Sequence, residues 1–302
     1  MKKLDLIPTL IIRLALCSAI SVSLICLLTD RTAQASAPVQ FKLIRNQMII
    51  VQVVLNGAGP FEFLLDTGTN TTIIEPELAQ QLRLRPQDRI ELMTIAGAQA
   101  VPRAQLGSVV LGPAVAENLE ALITDLRSIR ALHSSVRGIL GQNFLTRFNY
   151  LLDYRERQIE FETDGELAHR MCGARLPFEQ IEGLIAVSAQ AASSKTWRLV
   201  LDSASTDLIL FGHHTQSNAV EMSDRGQIWL TATTSAGSQT VQQGRLRALR
   251  IGETAFADLP VTMMPFDGRE EDGLLPISLF RAVYVNHKER YVVLNPSQRI
   301  PQ

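Results

Sequence analysis

With 302 residues, 46% of them hydrophobic and 20% charged, the chain can build one large or two ordinary domains and carries no signature of disorder. A formal charge of −1 leaves no basic field with which to hold nucleic acid. Three cysteines, Cys17, Cys26 and Cys172, are too few and too scattered for a disulfide-built scaffold.

Residues 1–35 have the three parts of a secretory signal: positive Met1-Lys2-Lys3 and Arg13, an apolar run from Leu14 to Leu28, and small residues at Ala33-Gln34-Ala35 before Ser36. The apolar run is shorter than the roughly 20 residues of a membrane-spanning helix, and Arg13 interrupts any longer span. Leu16 and Ile25, which precede the two early cysteines, are too large for a lipoprotein signal. The expectation is an exported protein, periplasmic or secreted; an uncleaved N-terminal anchor is the alternative and the only case in which it would touch a membrane. The leader carries Lys2, Lys3, Arg13 and Arg31 against Asp5 and Asp30, so its removal takes the formal charge from −1 to −3. It also leaves Cys172 as the single thiol, without a disulfide partner in the same chain.

Met48 to Leu55 reads as a strand, and Asn56-Gly57-Ala58-Gly59-Pro60 as a turn. Next comes FEFLLDTGTNTTIIE, Phe61 to Glu75. The apolar Phe63-Leu64-Leu65 delivers Asp66, then Thr67 and Gly68; polar residues turn the chain, and Ile73-Ile74 returns it to apolar surroundings. A carboxylate beside so much apolar side chain is costly unless it is hydrogen-bonded or shares a proton, which points to use; an Asx turn is the plainer reading. Pro76 to Leu82 suits a short helix. Arg89 to Arg103 reads as two strands around Ala96-Gly97-Ala98. Gly138-Ile139-Leu140-Gly141 precedes a helical turn at Gln142 to Arg147, and Asn149 to Tyr154 and Gln158 to Glu162 read as strands.

The second half repeats the first. WRLVLDSASTDLILF, Trp197 to Phe211, has Leu199-Val200-Leu201, Asp202, Ser203 and Ala204 in the same order, and Gly273-Leu274-Leu275-Pro276 lies downstream. Asp202 follows Asp66 by 136 residues and Gly273 follows Gly138 by 135, which indicates an internal duplication into two lobes. Ile228 to Val241, with Ala236-Gly237-Ser238 at its turn, matches the hairpin of the first half. Leu184–Ala189 and Arg198–Leu201 read as strands with a loop over 190–195, and Tyr284-Val285 and Tyr291 to Leu294 close the chain. Arg245 to Arg250 alternates with apolar residues as a strand with one solvent face does.

Asp66-Thr67-Gly68 behind an apolar strand, with Ile139-Leu140-Gly141 downstream, resembles the pepsin and retropepsin superfamily of aspartic proteases over residues 40–300. The resemblance implies an all-β fold of two similar acid-protease β-barrel lobes with a few short helices: lobe one over 36–163, a linker over 164–174 and lobe two over 175–302. It implies Asp66 and Asp202 as the catalytic pair, with Thr67, Gly68, Ser203 and Ala204 supporting the active-site loops and the two hydroxyls bonded across the lobes. It also makes the hairpin at Ala96, Gly97 and Ala98 a flap over substrate, without the tyrosine that pepsin-like flaps carry near the tip. Ala204 and Pro276 depart from the family, each standing where a glycine is usual.

Two facing carboxylates cannot easily both ionise, so they share a proton. The charged partner can act as general base on a water while the protonated one donates to a carbonyl, which hydrolyses a peptide bond with no metal and no cofactor. The expected function is therefore an aspartic endopeptidase acting on a peptide or protein substrate as a monomer of pseudo-two-fold lobes. A degenerate fold that binds exported peptides or proteins without cleaving them is the alternative, and pairing of first lobes into a dimer is a variant. The chain has no His-Glu-x-x-His pattern and no Gly-x-Ser-x-Gly elbow. The pair His213-His214 reads as a solvated turn rather than a metal site.

Overall fold

The computed structural model describes residues 37–94, 97–162, 165–191, 196–212, 220–222, 228–234, 237–264, 269–295 and 297–298. These all belong to the compact unit Ser36–Gln302. Among the described residues, two large sheets, a third that joins them and a small two-stranded one make up the fold.

The first sheet has eight strands in the order Lys42–Ile44, Met48–Leu55, Ala58–Leu65, Val136–Leu140, Thr72–Ile74, Ala114–Ile123, Gly97–Leu111 and Arg89–Thr94. Val54 and Leu55 pair again with Val110 and Val109, which curls the sheet back on itself. The second sheet runs Glu179–Ile181, Leu184–Ala191, Thr196–Asp202, Gly273–Pro276, Leu208–Phe211, Thr254–Met264, Gly237–Ile251 and Val220–Met222, with Ile228–Thr234 also paired to Gly237–Ile251. It closes in the same way, Gln190 and Ala191 pairing with Arg250 and Leu249. In both lobes the acid strand lies parallel to the apolar-glycine strand, which is antiparallel to the returning strand. Two lobes of one topology are what the duplicated pattern predicts.

The first glycine of each apolar-glycine strand has the same physical task. A Cβ on Gly138 would fall 2.7 Å from the Ile73 carbonyl oxygen and on the Phe63 ring, and one on Gly273 would fall 2.0 Å from the Ile209 carbonyl oxygen. Only a residue without a side chain lets the returning strand come this close. Ile73 and Ile209 are 136 residues apart, so the repeat holds down to individual backbone atoms.

The third sheet is shared by the lobes. Its order is Val39–Gln40, Gln158–Phe161, Tyr150–Asp153, Ala282–Asn286, Tyr291–Leu294 and Arg175–Pro177. The seam between halves runs down its centre, where Tyr150 faces Val285 and Leu152 faces Val283. Tyr150, Leu152, Val283 and Val285 are all buried in the main apolar core, together with Phe63, Phe144 and Trp197. That burial, at roughly 25 cal/mol per Å² of apolar surface, holds the lobes as one body.

Five expectations change in detail. The turn before the first acid strand shrinks to Asn56-Gly57, both at positive φ, and Ala58 already pairs with Leu55. Two successive left-handed residues make the tight hairpin turn that Asn-Gly favours, so Gly59 and Pro60 are left to the strand. Gly97 and Ala98 likewise lie in a strand, paired with Thr94 and Met93, and Ala96 lies outside the described residues. In lobe two Gly237 and Ser238 pair with Thr234 and Thr233 for the same reason, and Gln190 and Ala191 extend their strand. The segment expected as a linker holds a helix, Glu166–Arg170, and a strand, Met171–Cys172, paired with Ser297–Gln298. Leu167 is buried against Leu151, Tyr284, Tyr291 and Val293, and that apolar contact folds the connection onto the shared sheet.

Candidate active site

Phe63, Leu64 and Leu65 are fully buried and anchor the end of the first acid strand. The Asp66 N–H then donates to the Leu140 carbonyl at 3.0 Å, so the neighbouring apolar-glycine strand sets where the loop begins. Leu199, Val200 and Leu201 do the same for Asp202 in lobe two.

The loops meet through four hydrogen bonds. The Thr67 N–H donates to Ser203 Oγ and the Ser203 N–H to Thr67 Oγ1, both at 3.0 Å. Each hydroxyl in turn donates across the interface, Thr67 to the Leu201 carbonyl and Ser203 to the Leu65 carbonyl, both at 2.7 Å. Both side chains are buried, so every polar group here is satisfied by the opposite lobe. A second reciprocal pair lies further out: Gln47 Nε2 donates to the Thr206 carbonyl at 3.1 Å, and Asn70 Nδ2 to the Glu182 carbonyl at 3.4 Å. Each lobe thus holds the other's acid loop from a turn at the start of its own sheet.

This frame brings Asp66 and Asp202 together. Gly68 shows how closely: a Cβ there would sit 2.6 Å from Asp202 Cγ, so the glycine leaves the space that the second carboxyl occupies. Asp66 Oδ1 accepts the Gly68 N–H at 2.8 Å. Asp202 Oδ1 accepts two, from Ala204 at 2.7 Å and Ser205 at 3.0 Å. Burial, then the charge of Asp202, hold the Asp66 carboxyl well above the ordinary aspartate range, and the Gly68 N–H only partly offsets them. Burial also raises Asp202, but its two N–H donors and a hydrogen bond from Asp66 pull the other way. Both carboxyls are thus raised, and the two titrate as one coupled pair rather than as separate acids.

All six residues expected at the loops, Asp66, Thr67, Gly68, Asp202, Ser203 and Ala204, converge at this point. Ala204 fits because its environment differs from that of Gly68: it packs against the apolar cluster of lobe one, which includes Met48, Ile50, Leu64 and Ile73. Ile90, Leu92 and Val101, from the hairpin of Arg89–Thr94 with Gly97–Leu111, rest on the same cluster. The other departure is a real asymmetry. Gly141 cannot carry a side chain, since a Cβ would lie 2.6 Å from the Thr71 carbonyl oxygen, whereas Pro276 is accommodated in extended backbone opposite Asp202. His213 and His214 lie outside the described residues.

Two residues were not foreseen from sequence. Ser205 supplies the second donor to Asp202. Gln142, buried at the start of the helical turn Gln142–Leu145, donates from Nε2 to the Thr67 carbonyl at 3.0 Å. No local signal marks it, since Gln142 and Asn143 stand side by side as polar residues of the helical turn.

Comparison with known proteins identifies the family. The family model described as aspartyl protease matches residues 51–144 and again 187–279, once per lobe and together more than half of the chain. Among solved structures, a retropepsin-like aspartic protease from Rickettsia conorii is 21% identical over 41% of this chain and 89% of its own, with a TM-score of 0.31. No curated protein matches significantly.

Proposed function

Because the chain belongs to the aspartyl protease family, we propose that it is an active endopeptidase whose working pair is Asp66 and Asp202. The observation that carries this reading is the convergence of the two carboxyls inside the reciprocal Thr67–Ser203 frame.

Ionised Asp202 takes a proton from a water as the water oxygen attacks the scissile carbonyl carbon, and Asp66 gives its proton to the carbonyl oxygen. The tetrahedral species then collapses: its hydroxyl proton returns to Asp66, and the leaving nitrogen receives the proton held by Asp202. The carbon–nitrogen bond breaks, and the dyad regains its starting protonation after each turnover. Both acids come from one chain, so the active species in this reading is a monomer. The substrate is a peptide or protein strand under the hairpin Arg89–Thr94 and Gly97–Leu111.

The proposal extends to location: the leader 1–35 is removed after Ala35, and the protein that begins at Ser36 acts in the periplasm or outside the cell. Mass spectrometry of the N-terminus of the exported form checks this, and an intact Met1 in the membrane fraction would show an anchor instead. The test of activity is cleavage of a panel of denatured proteins by the wild type beside Asp66→Asn. Products from the wild type alone are expected; undiminished cleavage by the variant would sink the mechanism, and none by either would favour a binding module.

A further inference from the structure

Gln142 is 1% exposed, and its main-chain N–H donates to the Thr69 carbonyl at 2.9 Å, which fixes it to the first acid loop. Its side chain reaches Thr67 at 3.0 Å. A carbonyl only accepts, so the nitrogen end of the amide must face Thr67 and the oxygen end must point away. That end is turned towards the buried Tyr150, whose hydroxyl interacts with it short of full hydrogen-bond geometry. Burying a glutamine whose outer end is held so loosely is costly, and packing alone does not require it. The matching residue of lobe two, Ile277, is equally buried and apolar.

What the glutamine does is visible in the peptide it touches. The Thr67 carbonyl and the Gly68 N–H belong to one peptide unit. A donor on its oxygen polarises the unit and strengthens its N–H, the group that holds Asp66 Oδ1 at 2.8 Å. Asp66 accepts this one backbone N–H, whereas Asp202 accepts two. We infer that Gln142 is a positioning residue for Asp66, acting through the Thr67–Gly68 peptide to fix the orientation and proton affinity of that carboxyl. The inference rests on the dyad reading above. The chain supports its less firmly held acid with an amide on one side only.

The test is a titration of the Asp66 carboxyl by carbon NMR in the wild type, Gln142→Leu and Gln142→Glu, with kcat and KM measured across pH on a cleaved peptide. Gln142→Leu should raise the Asp66 midpoint by about half a pH unit or more, because a weaker Gly68 donor favours the protonated acid. It should lower kcat by about tenfold with KM within about twofold, since Gln142 is buried and presents no surface to a substrate. In Gln142→Glu the introduced carboxyl can donate to the Thr67 carbonyl while protonated. Activity should therefore be near wild type in acid and fall on a new limb as that group ionises. An Asp66 midpoint unmoved in both variants would overturn the inference even if melting temperatures drop, and should Gln142→Leu not fold, the Gln142→Glu titration decides alone. A moved midpoint in a chain that cleaves nothing would uphold the positioning role while refuting the protease reading.

Discussion

Thr67 and Ser203 are each other's hydrogen-bond acceptors: the main-chain N–H of each ends on the hydroxyl oxygen of the other at 3.0 Å. Since both hydroxyls also donate across the interface, one side-chain oxygen serves two bonds at once. Thr67→Val keeps the shape and removes both, leaving the Ser203 N–H and the Leu201 carbonyl buried without partners. The expected loss is about 2–4 kcal/mol of stability, against less than about 1 kcal/mol for Thr67→Ser. Urea unfolding midpoints of the two variants check the contrast, and equal values would mean that the frame contributes little.

Gly68 and Ala204 occupy matching places and should respond in opposite ways. A methyl at Gly68 meets Asp202 Cγ at 2.6 Å and Oδ2 at 2.7 Å, so Gly68→Ala must displace the second carboxyl. A displacement of this kind lowers kcat/KM by about 100-fold while the melting temperature changes little. Ala204→Gly removes a methyl that packs on the lobe-one cluster and adds backbone freedom, at a cost of about 1 kcal/mol with activity within a few-fold. Kinetics and thermal melts of both variants are the check.

The acid loops were legible because their pattern is local: an apolar run, an acid, a hydroxyl and a small residue within a few positions, twice. The duplication of topology followed from the spacing of Asp66, Gly138, Asp202 and Gly273. What could not be read depends on contacts between distant residues. Gln142 acts on Thr67, 75 positions earlier, and nothing in its own neighbourhood distinguishes it from a helix-turn residue. The helix at Glu166–Arg170 has the sequence of a linker because its few apolar residues gain a partner only once Tyr284 and Tyr291 of the shared sheet are in place. The flap turn was misplaced by a residue or two because Gly97 looks like a turn former, yet pairs with Thr94. Why an alanine fits at position 204 could not be read, because the apolar surface it packs on comes from the other lobe.

The dyad also sets a pH dependence of stability. Both carboxyls have raised pKa values in the folded chain, so the native state binds more protons than the unfolded one above the ordinary value of 3.8. Stability is then greatest below that value and falls as pH rises towards the native pKa of Asp66, by up to about 1.4 kcal/mol per pH unit for each proton involved. Asp66→Asn removes the carboxyl with the larger upward pull. It should raise the melting temperature at pH 7 and change it far less near pH 3. A variant no more stable than wild type at pH 7 would show that the pair ionises freely.

Catalysis gives the sharpest distinction between a working second lobe and a scaffold. If Asp66 and Asp202 act as one unit, either asparagine substitution removes the shared proton or the base, and each should lower kcat/KM by about 1,000-fold or more. The double variant should then be little worse than either single one, because neither acid has a separate contribution left to lose. Additive losses would mean two independent roles. Should Asp202→Asn keep activity within a few-fold of wild type, the active species would have to be a pair of first lobes, and sedimentation would have to show a dimer. The geometry argues against that outcome. Asp202 accepts two backbone N–H groups and is 6% exposed, while Ser203 supplies half of the frame that holds Thr67. A lobe serving only as scaffold would have no need to bury a carboxyl facing Asp66, where burial raises the pKa of both. Measuring the three variants against wild type in one peptide assay decides between the two arrangements.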